Sequence, residues 1–451
     1  MSQIKVIELE INNLASNGDG VGRWEGMAVF VPGTLPGETV KARIIKVKKS
    51  FAIGELEEVL YPAQARIDPD CRDFETCGGC QLQHLDYESQ LKHKRQNVKE
   101  TLSRIGKVTD IPIHRVIGME NPWNYRNKVY FQLAGERGNI LLGFFAPGSH
   151  RLVSAAGSCR LVNKSLNEAA GVLQKLLNKH RVAPYHWGKR RGLLRNVMLR
   201  IGEATGEIMV VFVTVPGKWP EAEDLSRDLI SLHPRIVSVI RNINTGPRKV
   251  VLGEKNNVLM GREYITDKLK GLAFRLSANS FYQVNLTQAQ RLYDVTRDYA
   301  GLIGGETVVD AYSGTGTIAL YLAGSAGRVI GLESVPGAVS DARENAKLNG
   351  VNNAEFKTGA VENLLPNLAK EGLNPGVVIL DPPRAGCEEE VLSAIVGMQV
   401  PRVVYVSCNP ATLARDLGRF QMRGYWTREV QPVDMFPWTG HVECAALIER
   451  G

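Results

Sequence analysis

Cys408 lies in the run Tyr405-Val406-Ser407-Cys408-Asn409-Pro410-Ala411-Thr412-Leu413. A strand-like apolar stretch (402–406) leads into it and a helix-like stretch (412–420) follows. A thiol at a strand end, beside a helix N-terminus, is placed to act as a thiolate nucleophile. Upstream stands a glycine-rich turn, Asp310-Ala311-Tyr312-Ser313-Gly314-Thr315-Gly316, and downstream a carboxylate, Glu443, in Gly440-His441-Val442-Glu443. A nucleotide-type cofactor loop, a thiol and an acid in one unit point to covalent catalysis on a substrate held beside a cofactor.

The elements that must position these groups alternate in type. Strands are expected at 307–311, 328–332, 355–358, 377–380 and 403–406, with helices at 316–323, 336–349, 361–368 and 388–396 between them. Such alternation predicts an α/β fold with a doubly wound, mostly parallel sheet of Rossmann-like kind. The last two runs, 427–433 and 442–449, have no helix between them and should form a terminal antiparallel hairpin. Gly314 and Gly316 follow the first strand and open a helix, and Ala319 completes a G-x-G-x-x-A pattern. Glu333 ends the next strand, at the spacing where a carboxylate grips ribose hydroxyls. Asp381 ends the fourth strand, in Leu380-Asp381-Pro382-Pro383-Arg384, and points at the crevice beyond the strand ends.

The chain has 451 residues, which suggests about three domains. No apolar run is long enough to cross a bilayer, and the N-terminus has no signal-peptide pattern, so a cytoplasmic enzyme is expected. A net charge of +8 and a pI near 9.0 favour a polyanionic partner, chiefly nucleic acid. Residues 1–62 read as short strands with turns, an OB-like barrel bearing Arg43, Lys46, Lys48 and Lys49. A helix is expected at 87–105, carrying Lys92, Lys94, Arg95 and Lys99. The boundaries expected are 1–62 for the barrel, 63–270 for a central α+β unit and 271–451 for the doubly wound unit.

Seven cysteines without a secretory pattern argue against a disulfide framework. Cys71, Cys77 and Cys80 lie within ten residues, and Cys159 is the best placed fourth thiolate. Four thiolates suit tetrahedral zinc or a 4Fe–4S cluster; a second C-x2-C pair is missing, which favours the cluster.

With these residues together, the chain resembles the RNA uracil-5-methyltransferases, above all the branch that modifies large-subunit ribosomal RNA and carries an iron–sulfur cluster. The stretches that carry the likeness are Ser280-Phe281-Tyr282-Gln283-Val284-Asn285, the glycine turn, Asp381-Pro382-Pro383-Arg384-Ala385-Gly386, Ser407-Cys408-Asn409-Pro410-Ala411-Thr412, and Met435-Phe436-Pro437-Trp438-Thr439-Gly440-His441-Val442-Glu443. The barrel resembles the TRAM module. The resemblance implies S-adenosylmethionine as methyl donor, Cys408 as nucleophile and Glu443 as general base. It implies that Gln283, Tyr312, Gly314, Glu333 and Asp381 line the donor and uracil pocket, and that Cys71, Cys77, Cys80 and Cys159 hold a 4Fe–4S cluster. It also implies ribosomal RNA, most specifically 23S, as substrate; a monomer is expected. His441, two residues away, would share the face of Glu443 as a rival base or an orienting partner. Tyr125-Arg126-Asn127-Lys128 and Trp187-Gly188-Lys189-Arg190-Arg191 interleave aromatic and basic groups, as single-strand RNA sites do.

Three other readings are weaker. Cytosine-5 methylation uses similar thiol chemistry, but its enzymes usually place a cysteine directly after the fourth-strand proline, where Arg384 stands. An oxidoreductase leaves Cys408 without a role. A non-catalytic RNA-binding protein predicts losses at Cys408, Glu443 or the glycine turn, and all three are intact.

Overall fold

The computed structural model describes residues 5–154 and 156–451. Five strands, β1 (Val6–Leu14), β2 (Gly20–Trp24), β3 (Met27–Val31), β4 (Thr39–Val47) and β5 (Phe51–Tyr61), close into a barrel in the order β1-β2-β3-β5-β4. Ile7, Leu9 and Ile11 alternate inward along β1 and meet Val29, Val31, Val40 and Ala52, so the period-two pattern fills the barrel. Glu38 is fully buried and binds Arg66, with Nε at 2.5 Å from Oε1, which fastens the barrel to the segment that leaves it.

Helix α1 (Tyr87–Thr101) is capped by Asp86, whose side chain accepts from the Ser89 N–H. It runs into a π-helical turn, Leu102–Gly106, where an added Cβ on Gly106 would strike the Ala414 carbonyl oxygen. Glycine is therefore required for the backbones to touch there. Val98 and Leu102 share a core cluster with Val309, Val378 and Tyr405 of the C-terminal sheet.

A second sheet follows: β6 (Lys128–Glu136), β7 (Asn139–Phe145), β8 (Leu152–Ser154), α2 (Lys164–Lys179), β9 (Leu194–Ile201), β10 (Ile208–Thr214), α3 (Ala222–Leu232), β11 (Ile236–Ile243) and β12 (Lys255–Gly261). Its strand order is β12-β11-β10-β9-β6-β7-β8. Residues of α2 and α3 cover one face, while Met198, Met209, Val211 and Ile240 on the other join the core beneath the next units. Strands β9 and β10 are buried at every residue; β10 is accordingly almost wholly apolar, whereas β9 also buries Arg195, Asn196 and Arg200.

A ribbon, β13 (Tyr264–Leu269) and β14 (Leu272–Ser277), and helix α4 (Leu286–Ala300) lead to the third unit. This comprises β15 (Thr307–Ala311), α5 (Thr317–Ala323), β16 (Arg328–Glu333), α6 (Pro336–Leu348), β17 (Ala354–Thr358), α7 (Val361–Lys370), β18 (Val377–Leu380), α8 (Glu389–Gly397), β19 (Arg402–Ser407), α9 (Pro410–Gln421), β20 (Tyr425–Val433) and β21 (Glu443–Arg450). The order is β17-β16-β15-β18-β19-β21-β20, with β21 antiparallel to both neighbours. The expected α/β fold, barrel and terminal antiparallel hairpin are all present. The order reverses between β15 and β18, so the crevice for a ligand opens beyond their carboxyl ends.

Candidate active site

The thiol and the acid meet through strand register. Ser407 pairs with Cys444 in the β19–β21 ladder, so Cys408, one step on, stands across from Glu443, one step back. Asn409 caps α9 by accepting from the Ala411 N–H, and Pro410 occupies the first helical turn. The Asn409 amide also donates to the Arg384 carbonyl at 3.0 Å, tying the Asp381 loop to the Cys408 turn. Thus β18, β19 and β21 bring Asp381, Cys408 and Glu443 to one place, with Arg384 facing them.

The electrostatics are those of crowded acids out of water. Burial, then the charge of Asp381, pushes Glu443 up to about 8, against the pull of Arg384. Burial pushes Asp381 up to about 7. Asp310, at the end of β15, is pushed up to about 8 by burial and then by Asp381. Burial, Glu443 and Asp381 together push the Cys408 thiol up to about 11. Such a crevice favours a cation.

Around the glycine turn, Gly314 has φ of +54° and open space where a Cβ would lie. Gly316, at φ +78°, has none: its Cβ would meet Phe356 at 2.8 Å. Glu333 accepts from the Gly314 N–H at 3.0 Å and from the Val335 N–H at 2.8 Å, so it braces the turn as well as facing the crevice. One Asp310 oxygen accepts from the Ala319 N–H; the other is buried without a partner, as is the Ser313 hydroxyl. Orphaned acceptors, an open glycine cradle and an acidic wall fit a cationic nucleoside-type ligand.

Gln283 is nearly buried, and its carbonyl accepts from the Asn127 amide at 2.9 Å. Tyr312 stands at φ +69°, a conformation that costs a bulky residue, and its hydroxyl donates to Glu362 at 2.9 Å. Its polar end is therefore engaged with α7. His441 precedes β21, which begins at Glu443; it is exposed, with its ring against Phe436, and the Arg384 charge that faces Glu443 acts on it too.

Sequence reasoning missed how the stretch before Glu443 is held. Asp434 is fully buried and accepts from Lys94 Nζ at 2.6 Å and from the Tyr87 hydroxyl at 2.8 Å. Five successive carbonyls are then captured by different elements. Asp434 O accepts from Gln288 and Met435 O from Asn285, each at 3.1 Å. Phe436 O accepts from Lys94 and Pro437 O from the Tyr125 hydroxyl, each at 3.1 Å. Trp438 O accepts from the Gln81 and Leu82 N–H groups, each at 3.0 Å. Trp438 itself sits at φ +67° and stacks on Trp123 at 4.4 Å. Lys94 is thus buried, although it lies among the basic residues Lys92, Arg95 and Lys99 of the same helix. Tyr125-Arg126-Asn127 likewise turns inward and is no exposed RNA loop: Tyr125 and Asn127 are buried.

The cysteines line one cavity of about 400 Å³ with Arg126, Lys128, Phe145 and Val284. Burial pushes Cys80 up to about 12, with a further push from Cys159, while Arg126 opposes it. Burial likewise raises Cys77 and Cys159. The expected 4Fe–4S site gains no support here: among the described residues, no group of three or more His, Cys, Asp or Glu side chains is placed to hold a metal ion.

Comparison with known proteins agrees with this geometry. Residues 242–451 match the family described as tRNA (Uracil-5-)-methyltransferase, and residues 3–56 match the TRAM domain. A Bacillus cereus protein described as an uncharacterized RNA methyltransferase is 44% identical over 98% of this chain and 96% of its own. One from Caldanaerobacter subterraneus, described the same way, is 46% identical over the whole of both chains. Among solved structures, the Pyrococcus abyssi tRNA (uracil-54, C5)-methyltransferase in complex with S-adenosyl-L-homocysteine superposes with a TM-score of 0.78 at 28% identity, covering 98% of this chain and 100% of that one. The chain belongs to the tRNA (uracil-5-)-methyltransferase family and is an S-adenosylmethionine-dependent RNA methyltransferase with an N-terminal TRAM domain.

Proposed function

We propose that this protein methylates carbon 5 of a uridine in 23S ribosomal RNA, with Cys408 as nucleophile and Glu443 as general base. The observation that carries the reading is the β19–β21 register, which sets a thiol across from a buried acid beside the cofactor crevice. Uracil carbon 5 is a weak nucleophile. Addition of the Cys408 thiolate at carbon 6 forms a carbon–sulfur bond and moves the ring's electron pair toward carbon 5. When bound, S-adenosylmethionine supplies the methyl group to carbon 5 as an electrophile carried on a sulfonium. Glu443 then takes the carbon 5 proton, the ring double bond re-forms, and the Cys408 sulfur leaves. Gln283, Tyr312, Gly314, Glu333 and Asp381 hold the donor, and Gln283 and Asp381 also hold the uracil edge. The uridine must be unstacked to reach this crevice.

Residues 1–62 act as an RNA-binding barrel, 63–270 as a cluster-bearing and RNA-binding unit, and 271–451 as the methyltransferase unit. The protein works as a monomer in the cytoplasm; no helix among the described residues is long and apolar enough to cross a membrane. Cys71, Cys77, Cys80 and Cys159 hold a 4Fe–4S cluster. A zinc ion needs four ligands about 2.3 Å from one point, whereas each iron of a cluster takes one thiolate, so its ligands ring a space. The cysteine-lined cavity and the facing Arg126 suit an anionic, cluster-sized group. The methyl transfer needs no electron, so the cluster's role is structural or RNA-positioning.

Transfer RNA is the second reading, favoured by the Pyrococcus abyssi enzyme, whose whole chain this one matches. The deciding experiment supplies anaerobically purified protein with S-adenosylmethionine and either unmodified ribosomal or transfer RNA, then identifies the nucleoside by mass spectrometry. 5-Methyluridine on ribosomal RNA, lost in Cys408→Ala, supports the proposal. Product on transfer RNA alone replaces the substrate, and 5-methylcytidine refutes the uracil chemistry.

A further inference from the structure

One basic and aromatic surface takes no part in the chemistry above. The chain at 184–194 forms a tight hairpin, with Tyr185 N–H donating to Leu194 O at 2.7 Å and His186 N–H to Arg191 O at 2.8 Å. Gly192, at φ +107°, lets it close, because a Cβ there would run into the Pro184 carbonyl oxygen. The tip exposes Lys189, Arg190 and Arg191, while Trp187 remains half-buried at the base.

Two arginines frame that indole. Arg195 is nearly buried and donates to the carbonyls of Asn244, Gly246 and Pro247 at 2.8, 3.0 and 3.2 Å. Its guanidinium, fixed by those bonds, lies 4.3 Å from the Trp187 ring. The same bonds shape the loop that presents Arg248, exposed, at 5.6 Å from Trp187 and 5.1 Å from Phe145. Among the described residues, Lys189, Arg190, Arg191, Arg195, Arg248 and Lys249 form no ion pair with any acid, unlike Arg262, Arg275, Arg402 and Arg423. Unneutralised cations around flat rings leave a surface built for an anion with planar groups.

Its position links it to the crevice. Phe145 also lines the cysteine cavity, as do Lys128 and Val284. Lys128 lies 5.8 Å from the ring of Phe281, which is 62% exposed two residues before Gln283. Aromatic and basic side chains therefore continue from the reaction crevice, past the cavity, to Trp187, with Lys128 pulled down to about 7 by burial and then by Arg200.

We propose that Trp187, Arg248 and the 189–191 tip form a second RNA site, a stacking platform for unpaired nucleotides flanking the target. The proposal rests on RNA being the substrate. Bases stack on indole and guanidinium planes whatever their sequence, and the tip cations meet the backbone. Paired bases hide those faces, so a duplex gains only the charge.

The test uses the full-length protein with a fluorescein-labelled single-stranded oligouridine and, separately, an RNA duplex of equal length. Trp187→Ala and Arg248→Ala should each weaken the single strand by roughly 5- to 100-fold, while Trp187→Phe, which keeps a ring, stays within about threefold of wild type. Lys189→Gln with Arg190→Gln should lower the slope of log affinity against log salt by about 1.4 for the single strand. With saturating RNA, kcat should be unchanged and only KM should rise. Unchanged affinity in Trp187→Ala and Arg248→Ala overturns the proposal. So does an equal loss for the duplex, or a loss in Trp187→Phe matching that in Trp187→Ala. A wild-type protein that binds oligouridine with this pattern but methylates no RNA keeps the platform and refutes the enzymatic reading instead.

Discussion

Replacing Lys94 by methionine tests how Glu443, the proposed general base, is held. Lys94 and Asp434 are 1% and 0% exposed, 2.6 Å apart and 340 residues apart in sequence. Burial pulls the Lys94 ammonium down from its usual range and Asp434 opposes that pull. Lys94→Met leaves the Asp434 carboxylate buried with only the Tyr87 hydroxyl, at 2.8 Å, as a side-chain partner. Stranding one member of a buried pair costs about 3–5 kcal/mol. Changing both, Lys94→Met with Asp434→Asn, removes the charge yet keeps an acceptor for Tyr87, and should recover all but about 1–2 kcal/mol. Urea unfolding followed by circular dichroism measures both. There is a functional signature too. Asp434 follows Val433, which pairs with Glu443. A loosened Asp434 therefore misplaces the base, and the methylated RNA–protein adduct should persist on denaturing gels. A single-variant cost below about 1 kcal/mol, or a double variant no more stable than the single, refutes the reasoning.

Further outcomes follow from the same site. Cys408→Ala should form no covalent RNA adduct, whereas Glu443→Gln should accumulate a methylated one; an adduct from Cys408→Ala would exclude it as nucleophile. Glu443 and Asp310, both raised to about 8, hold protons in the folded state that the unfolded chain has lost. Their contribution to stability is complete below the ordinary carboxylate range and is lost as pH rises through about 8, so thermal stability of the ligand-free protein should fall from pH 5 to pH 8. S-adenosylmethionine, a cation, should bind more tightly over the same rise and release protons, which calorimetry in two buffers of different ionisation enthalpy detects. Gly316→Ala puts a Cβ 2.8 Å from Phe356 at φ +78° and should weaken donor binding at least tenfold, read by equilibrium dialysis. Cys80→Ser should lose the iron of the proposed cluster and, because Gln81 and Leu82 hold the Trp438 carbonyl, shift tryptophan emission; iron content equal to that of the unaltered protein would count against Cys80 as a ligand.

The doubly wound sheet was legible because its apolar runs, glycine turn and helix caps are local signals. Cys408, Asp381 and Glu333 could be placed at strand ends for the same reason. The barrel was legible through its alternation, as Ile7, Leu9 and Ile11 show. The pairing of Cys408 with Glu443 was not, since it depends on β21 entering between β19 and β20 in one register. The inward turn of Arg126 was hidden because its neighbours, Cys80 and Cys159, lie far away in the chain.

By itself, the sequence determined which residues can do the chemistry and which strand or turn carries each, because periodicity, caps and turns are written within a few residues. Only the tertiary structure decided which charges are buried and what holds the base. Lys94 looks like any helical lysine until Asp434 arrives from 340 residues away. The five captured carbonyls from Asp434 to Trp438 are backbone groups, alike in every sequence, so their partners exist only once the chain has folded.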